Sequence, residues 1–295
     1  MSVFTPEAEK FLYDLQDQYI QYLKEEYEIT SVAEYFEHVN AYENSDAPQS
    51  LKDYLQSNDD PLELLYQVAP ATGQEVVLVS SNPGLPNSLS PDTFRPSRHH
   101  GRHSEAGDNV ARSAEVLAQN LHGYLSNSKG FSQIIPKLQS SLDLLTSPDE
   151  VPFEEYIRVD ESGLSPSLHD EIYYTRVYKL PSYNETALTK RDKEFGKQTF
   201  QTELKKVTDP KVVVCTGAIA WRAMYESVDN PQEEIEAYNE SIVTDSFSKY
   251  DQGGARGGLY QFQEQGIWVL TTRHGSWPID TERLEENLQT LNQHV

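Results

Sequence analysis

Four short apolar runs constrain this chain more than any other feature. They are "EVVLVSS" from Glu75, "EIYYTRVYKL" from Glu171, "KVVVCTG" from Lys211 and "IWVLTTR" from Ile267. Each is rich in β-branched and aromatic residues, and none leaves a regular polar side. Strands of that texture are buried on both faces, as in parallel sheets. Helical spacings lie between them. Val110, Ala114, Leu117, Leu121 and Leu125 recur at three and four, a second helical pattern runs through Phe195, Phe200, Leu204 and Val207, and the last has Leu284, Leu288 and Leu291. Strands alternating with helices predict an α/β fold, a three-layer α/β/α sandwich around a central four-stranded parallel sheet. This domain is expected over residues 66–295. The stretch "NPQEEIEAYNESIVTDSFSKYDQGG" from Asn230 reads as an acidic insertion before the last strand.

Residues 1–65 have a different texture and read as an acidic helical extension. Thr5-Pro6 suits a helix start. Ala8, Phe11, Leu12, Leu15, Tyr19, Tyr22 and Leu23 fall on one helical face. Residues 1–70 hold fifteen Asp and Glu against three Lys, so half of the formal charge of −23 sits in the first quarter of the chain. A chain so acidic repels polyanions at long range unless its charge is segregated. Three readings fit: a protein adapted to a salt-rich cytoplasm, an ordinary acidic protein, or a mimic of DNA charge. The single cysteine, Cys215, excludes a disulfide framework, an iron–sulfur cluster or a Cys-type zinc site, and makes an intracellular, cytoplasmic location the default. No run of about 18 apolar residues predicts a membrane helix, and the N-terminus lacks the pattern of a signal peptide.

Ligands of open α/β sheets sit outside the carboxyl ends of the strands. The four exits read "SSNPG", "TRVYKLP", "CTGAIAW" and "TTRHGSWP". In that order and spacing they resemble the uracil-DNA glycosylase superfamily, over about three-quarters of the chain from Val76 onward. "SSNPG" is similar to the water-activating "GxNPG" corner of the mismatch-specific and single-strand-selective branches. "YYTRVYKLP" is similar to the "TNVVKCxP" strand, "VVVCTGAIAW" to "VIVALGxxA", and His274-Gly275-Ser276 to the "HPS" loop.

The resemblance implies hydrolysis of a base–deoxyribose bond through a sugar cation, with water approaching one face while the base leaves as an anion. Asn82 would offer its carbonyl oxygen to orient that water. Pro83 would fix the corner, and Gly84 would let sugar and backbone come close beside Ser81. His274 would donate to the departing base, and Ser276 would bind a backbone phosphate. Phe94, twelve residues after Asn82, would stack on a flipped base. The partner would be DNA, single- or double-stranded, with no metal or redox cofactor. Read without the resemblance, Asn-Pro-Gly is also good turn chemistry, and Phe94 and His274 also suit structural roles.

"RPSRHHGRHS" from Arg95 reverses the local charge of an acidic chain. Arg95, Arg98 and Arg102, with Arg273 elsewhere, are candidates to neutralise phosphates. His99, His100 and His103 could instead ligate a metal, or the loop could pair with the acidic surface. Three positions depart from the family pattern. Arg176 stands where the family has an Asn that reads uracil through paired donor and acceptor, and a guanidinium offers donors only. Ser80 stands in place of Gly, and Gly275 in place of Pro. Arg176 therefore contacts a different base, or a phosphate, or marks a site that no longer cleaves DNA. A catalytically inactive glycosylase-fold protein that binds nucleic acid or a protein partner is the alternative.

Overall fold

The computed structural model describes residues 5–39, 49, 53, 56, 57, 72–81, 129–158, 166–180, 182, 187–206, 208–229, 231–238, 257–274 and 278–295. In chain order its elements are α1 (Pro6–Tyr27), α2 (Val32–His38), β1 (Val76–Ser80), α3 (Phe131–Ser141), α4 (Phe153–Tyr156), α5 (Pro166–Glu171) and β2 (Ile172–Arg176). There follow α6 (Lys190–Lys206), β3 (Val212–Thr216), α7 (Ala218–Tyr225), α8 (Pro231–Glu234), β4 (Ile235–Ala237), β5 (Gly258–Phe262), β6 (Ile267–Thr272) and α9 (Thr281–Leu291). No helix among the described residues is long and apolar enough to cross a membrane. The expected helix over Val110–Leu125 lies outside the described residues.

The chain divides into two compact units that interleave in sequence. One holds the described residues of 1–70 and 178–198, the other those of 71–81, 121–177 and 199–295. In the first unit, Thr5 caps α1 as expected, its hydroxyl accepting from the Ala8 amide at 3.3 Å with Pro6 following. Ser31 and Glu34 close a capping box at the start of α2. The apolar face of α1 buries Ala8, Leu15, Tyr19 and Leu23. Phe195 of α6 stacks on Tyr22 at 4.1 Å and meets the edge of Tyr19 at 4.4 Å. Beside this cluster Asp192, 1% exposed, accepts from the Thr189 amide at 2.9 Å and the Tyr22 hydroxyl at 3.1 Å, and pairs with His38 Nε2 at 3.0 Å. Burial works to raise this carboxyl. The His38 bond and the Thr189 amide outweigh it and leave the group below its ordinary value.

The second unit is an α/β sheet structure. Its strand order is β2-β1-β3-β6-β5-β4. The four apolar runs form four adjacent parallel strands, with Ser80 opposite Arg176, Val79 opposite Cys215, and Thr216 opposite Thr272. The sheet does not stop there. β5 runs antiparallel to β6, and β4 antiparallel to β5. The expected four-stranded, all-parallel sheet is therefore corrected to a six-stranded, mostly parallel one. The acidic stretch from Asn230 opens with α8 and β4 rather than as a plain insertion. β4 escapes the pattern because it is three residues long, sits at an edge, and carries Glu236 in its centre.

Strand alternation sorts the core. Val76, Leu78, Ile172, Tyr174, Val212, Val214, Trp268 and Leu270 share one face with Phe131, Ile134, Ile135 and Leu138 of α3 and Leu284, Leu288 and Leu291 of α9. Lys137 of α3 pairs with Glu285 of α9, joining the two helices. From the opposite face Tyr173 and Thr175 each donate a 2.7 Å hydrogen bond to the buried Glu203 carboxylate of α6. On that side Trp221 of α7 stacks on Tyr260 at 4.3 Å. Every residue of β1, β2 and β3 is buried, as the uniform apolar texture requires.

Candidate functional site

The four parallel strands end together, so their exits form one row at the carboxyl edge of the sheet. Across that row stand Arg176 of β2, Ser80 of β1, Thr216 of β3 and Thr272 of β6. Neighbouring strands lie about 4.8 Å apart, which puts the β1 and β6 exits about 10 Å from each other. Ser81, Arg176, Arg273 and His274 lie on this edge. Asn82, Pro83, Gly84, Phe94, Arg95, Arg98, Arg102 and Ser276 lie outside the described residues, as do His99, His100, His103 and Gly275.

Hydroxyl side chains brace the row. Ser80 Oγ shares a 2.7 Å hydrogen bond with the Tyr174 hydroxyl. Thr216 Oγ1 donates to the Val79 carbonyl at 2.8 Å, tying β3 to β1. The Gly217 amide donates to the Thr272 carbonyl at 2.8 Å, tying the turn after β3 to β6. The Val177 amide donates to the Ser80 carbonyl at 2.9 Å, tying β2 to β1. Sequence reading did not single out Tyr174, Thr216, Gly217 or Thr272. A signal was there, since three of the four apolar runs reach their exit in Ser or Thr.

Arg176 is 5% exposed, and its guanidinium carbon sits 5.7 Å from the centre of the Tyr174 ring. The same ring packs against Phe131 in an edge-to-face pair with centroids 5.7 Å apart. A guanidinium on an aromatic face keeps its plane and its donors oriented. Ser80 and Arg176 thus approach the same tyrosine. Arg273 is exposed and half-buried His274 follows it. Cys215 sits fully buried just inside the row, and burial pushes its thiol well up, so it offers neither a nucleophile nor a ready metal ligand there. Among the described residues no three His, Cys, Asp or Glu side chains gather as a metal site would need.

Among the described residues the edge therefore presents two donor-only cations, Arg176 and Arg273, the His274 imidazole and a set of hydrogen-bonded hydroxyls. That chemistry can hold an electron-rich group and supply a hydrogen bond to developing negative charge. Compared with known proteins, the chain matches no family model and no curated protein.

Proposed function

We propose that the chain is a DNA glycosylase-like enzyme, which hydrolyses the N-glycosidic bond of a damaged or deaminated base such as uracil. The observation that carries this reading is the row of four parallel strand exits, with Ser81, Arg176 and His274 on one sheet edge. On this reading the helices on both faces of the sheet complete a three-layer α/β/α domain, and the enzyme works on DNA in the cytoplasm.

Asn82 orients a water toward the anomeric carbon. The water oxygen forms the new bond to carbon as the carbon–nitrogen bond breaks, and its electron pair leaves with the base. His274 donates a hydrogen bond to the base as negative charge grows, and the proton lost by the water ends on the base or in solvent. A neutral imidazole suffices as donor. Phe94 stacks on the flipped base, Ser276 holds a phosphate, and Arg95, Arg98, Arg102 and Arg273 neutralise others.

Oligonucleotides carrying uracil, hypoxanthine, xanthine or a mismatch test the reading. They are incubated with the protein in low and in molar salt, then treated with alkali to break abasic sites. Breaks that disappear in Asn82→Ala and in His274→Ala support it. Intact strands under every condition overturn it. The burial of Arg176 favours a second reading, a glycosylase-fold protein that binds nucleic acid or a protein partner without cleavage. Retained DNA with no breaks is its expected outcome.

A further inference from the structure

Gly217 closes β3 and caps α7 with φ 93° and ψ 165°. That conformation belongs almost wholly to glycine. Its amide is spent on the Thr272 carbonyl, two residues before His274. A Cβ built on Gly217 would stand 3.5 Å from His274 Cβ, 3.7 Å from its Cα and 3.7 Å from its ring carbon Cδ2. Those are ordinary contact distances, so a methyl group would fit beside the imidazole and the constraint at 217 lies in the backbone. One residue holds the turn that leads β3 past the backbone of His274.

We propose that Gly217 is a positioning residue for His274: its positive-φ backbone and its hydrogen bond to Thr272 set where the imidazole stands on the sheet edge. The inference rests on the proposed function for its catalytic consequence, and on geometry alone for its structural one. An alanine at 217 cannot hold that φ and ψ without strain, so the turn rotates, the Thr272 bond is lost and the ring moves. Gly73 supplies the control. It has nearly the same φ, 88°, with nothing within 4 Å of its built Cβ, and lies before β1 at the other end of the strand. An alanine there strains the backbone without touching His274.

The experiment uses the full chain with Gly217→Ala, Gly73→Ala, His274→Ala and the Gly217→Ala/His274→Ala pair. The His274 ring signal in the NMR spectrum is assigned by its loss in His274→Ala. Gly217→Ala is expected to shift that signal and to lower kcat for base release about 10- to 100-fold with KM within about twofold, as a displaced catalytic group does. It should add nothing in the His274→Ala background, the mark of action through that residue. Gly73→Ala should leave both readouts unchanged. An unmoved ring signal, or an equal fall in kcat with His274 already removed, overturns the proposal. If Gly217→Ala fails to fold, a nuclear Overhauser contact between the Gly217 Hα and the His274 ring in the unmodified protein decides it: presence supports the proposal and absence refutes it. A wild-type protein that releases no base defeats the glycosylase reading, and the ring signal still decides the positioning.

Discussion

Arg176 is where the residue chemistry is sharpest. It is nearly buried, lies over Tyr174, and carries only donors. On the proposed glycosylase reading, an amide at that position would supply the paired donor and acceptor that uracil requires. With the pocket otherwise intact, Arg176→Asn should then raise the rate of uracil release, read as alkali-labile breaks per minute. No gain in an active enzyme would place Arg176 outside base recognition. Asp192 governs a second residue-scale effect. Its carboxyl is held below the ordinary value near 3.9, so the folded chain favours the charged form. The sign follows: the unfolded state takes up protons first as pH falls, so this stability is fully present above about pH 4 and is lost as pH drops through the folded value. Asp192→Asn should cost about 1–3 kcal/mol at pH 6, and the difference should shrink by pH 3, measured by urea unfolding. An unchanged difference at pH 3 would remove Asp192 from the acid response.

At the scale of elements, Glu203 fastens α6 to β2 through Tyr173 and Thr175. Thr175→Val keeps the shape and leaves the buried carboxylate with one donor fewer, so it should destabilise by about 1–3 kcal/mol in chemical denaturation. A neutral result would mean that this bond contributes nothing net. Leu288 of α9 is fully buried in the core shared with α3, and Leu288→Ala should cost about 2–5 kcal/mol. Elements differ in how legible they were. β1, β2, β3 and β6 announced themselves because both of their faces are covered, which forces continuous apolar sequence. β5 did not, because "GLYQF" opens on a glycine, follows a glycine-rich stretch and carries a polar Gln261. β4 reads as polar because an edge strand needs only half of its residues inside. α3 was hidden by Pro136, a residue that usually ends a helix, although Ile134, Ile135 and Leu138 are buried on one side. The His38–Asp192 pair joins residues 154 apart, and no local pattern reports a partner at that range.

For the whole molecule, the net charge of −23 is the dominant long-range term. Self-repulsion among like charges is screened as the Debye length falls from about 30 Å at 0.01 M to 3 Å at 1 M salt. The urea midpoint should therefore rise as KCl increases, and a midpoint indifferent to salt would show that the acid is locally compensated. If the chain binds DNA as proposed, the same charge separates folding from binding, since salt that screens self-repulsion also weakens attraction to phosphates. What the sequence could say of the site was the type of each exit; what it could not say was the register that aligns them, because pairing between strands far apart in the chain leaves no local trace. On the proposed glycosylase reading, the residues that follow β1 and β6 come together over the β3 exit across a space that fits one base. Cys215 is the single native thiol and is fully buried, so introduced cysteines can be read cleanly. The deciding measurement is intramolecular cross-linking of an Asn82→Cys/His274→Cys protein by a bis-maleimide spanning about 10 Å, the width of two strand spacings. A Glu75→Cys/Lys211→Cys pair serves as reference for reactivity, since those side chains meet at 2.6 Å at the opposite end of β1 and its neighbour β3. Efficient bridging of 82 to 274, suppressed by a uracil-bearing oligonucleotide, is the expected result. Bridging of the reference pair with none between 82 and 274 would overturn the proposed site.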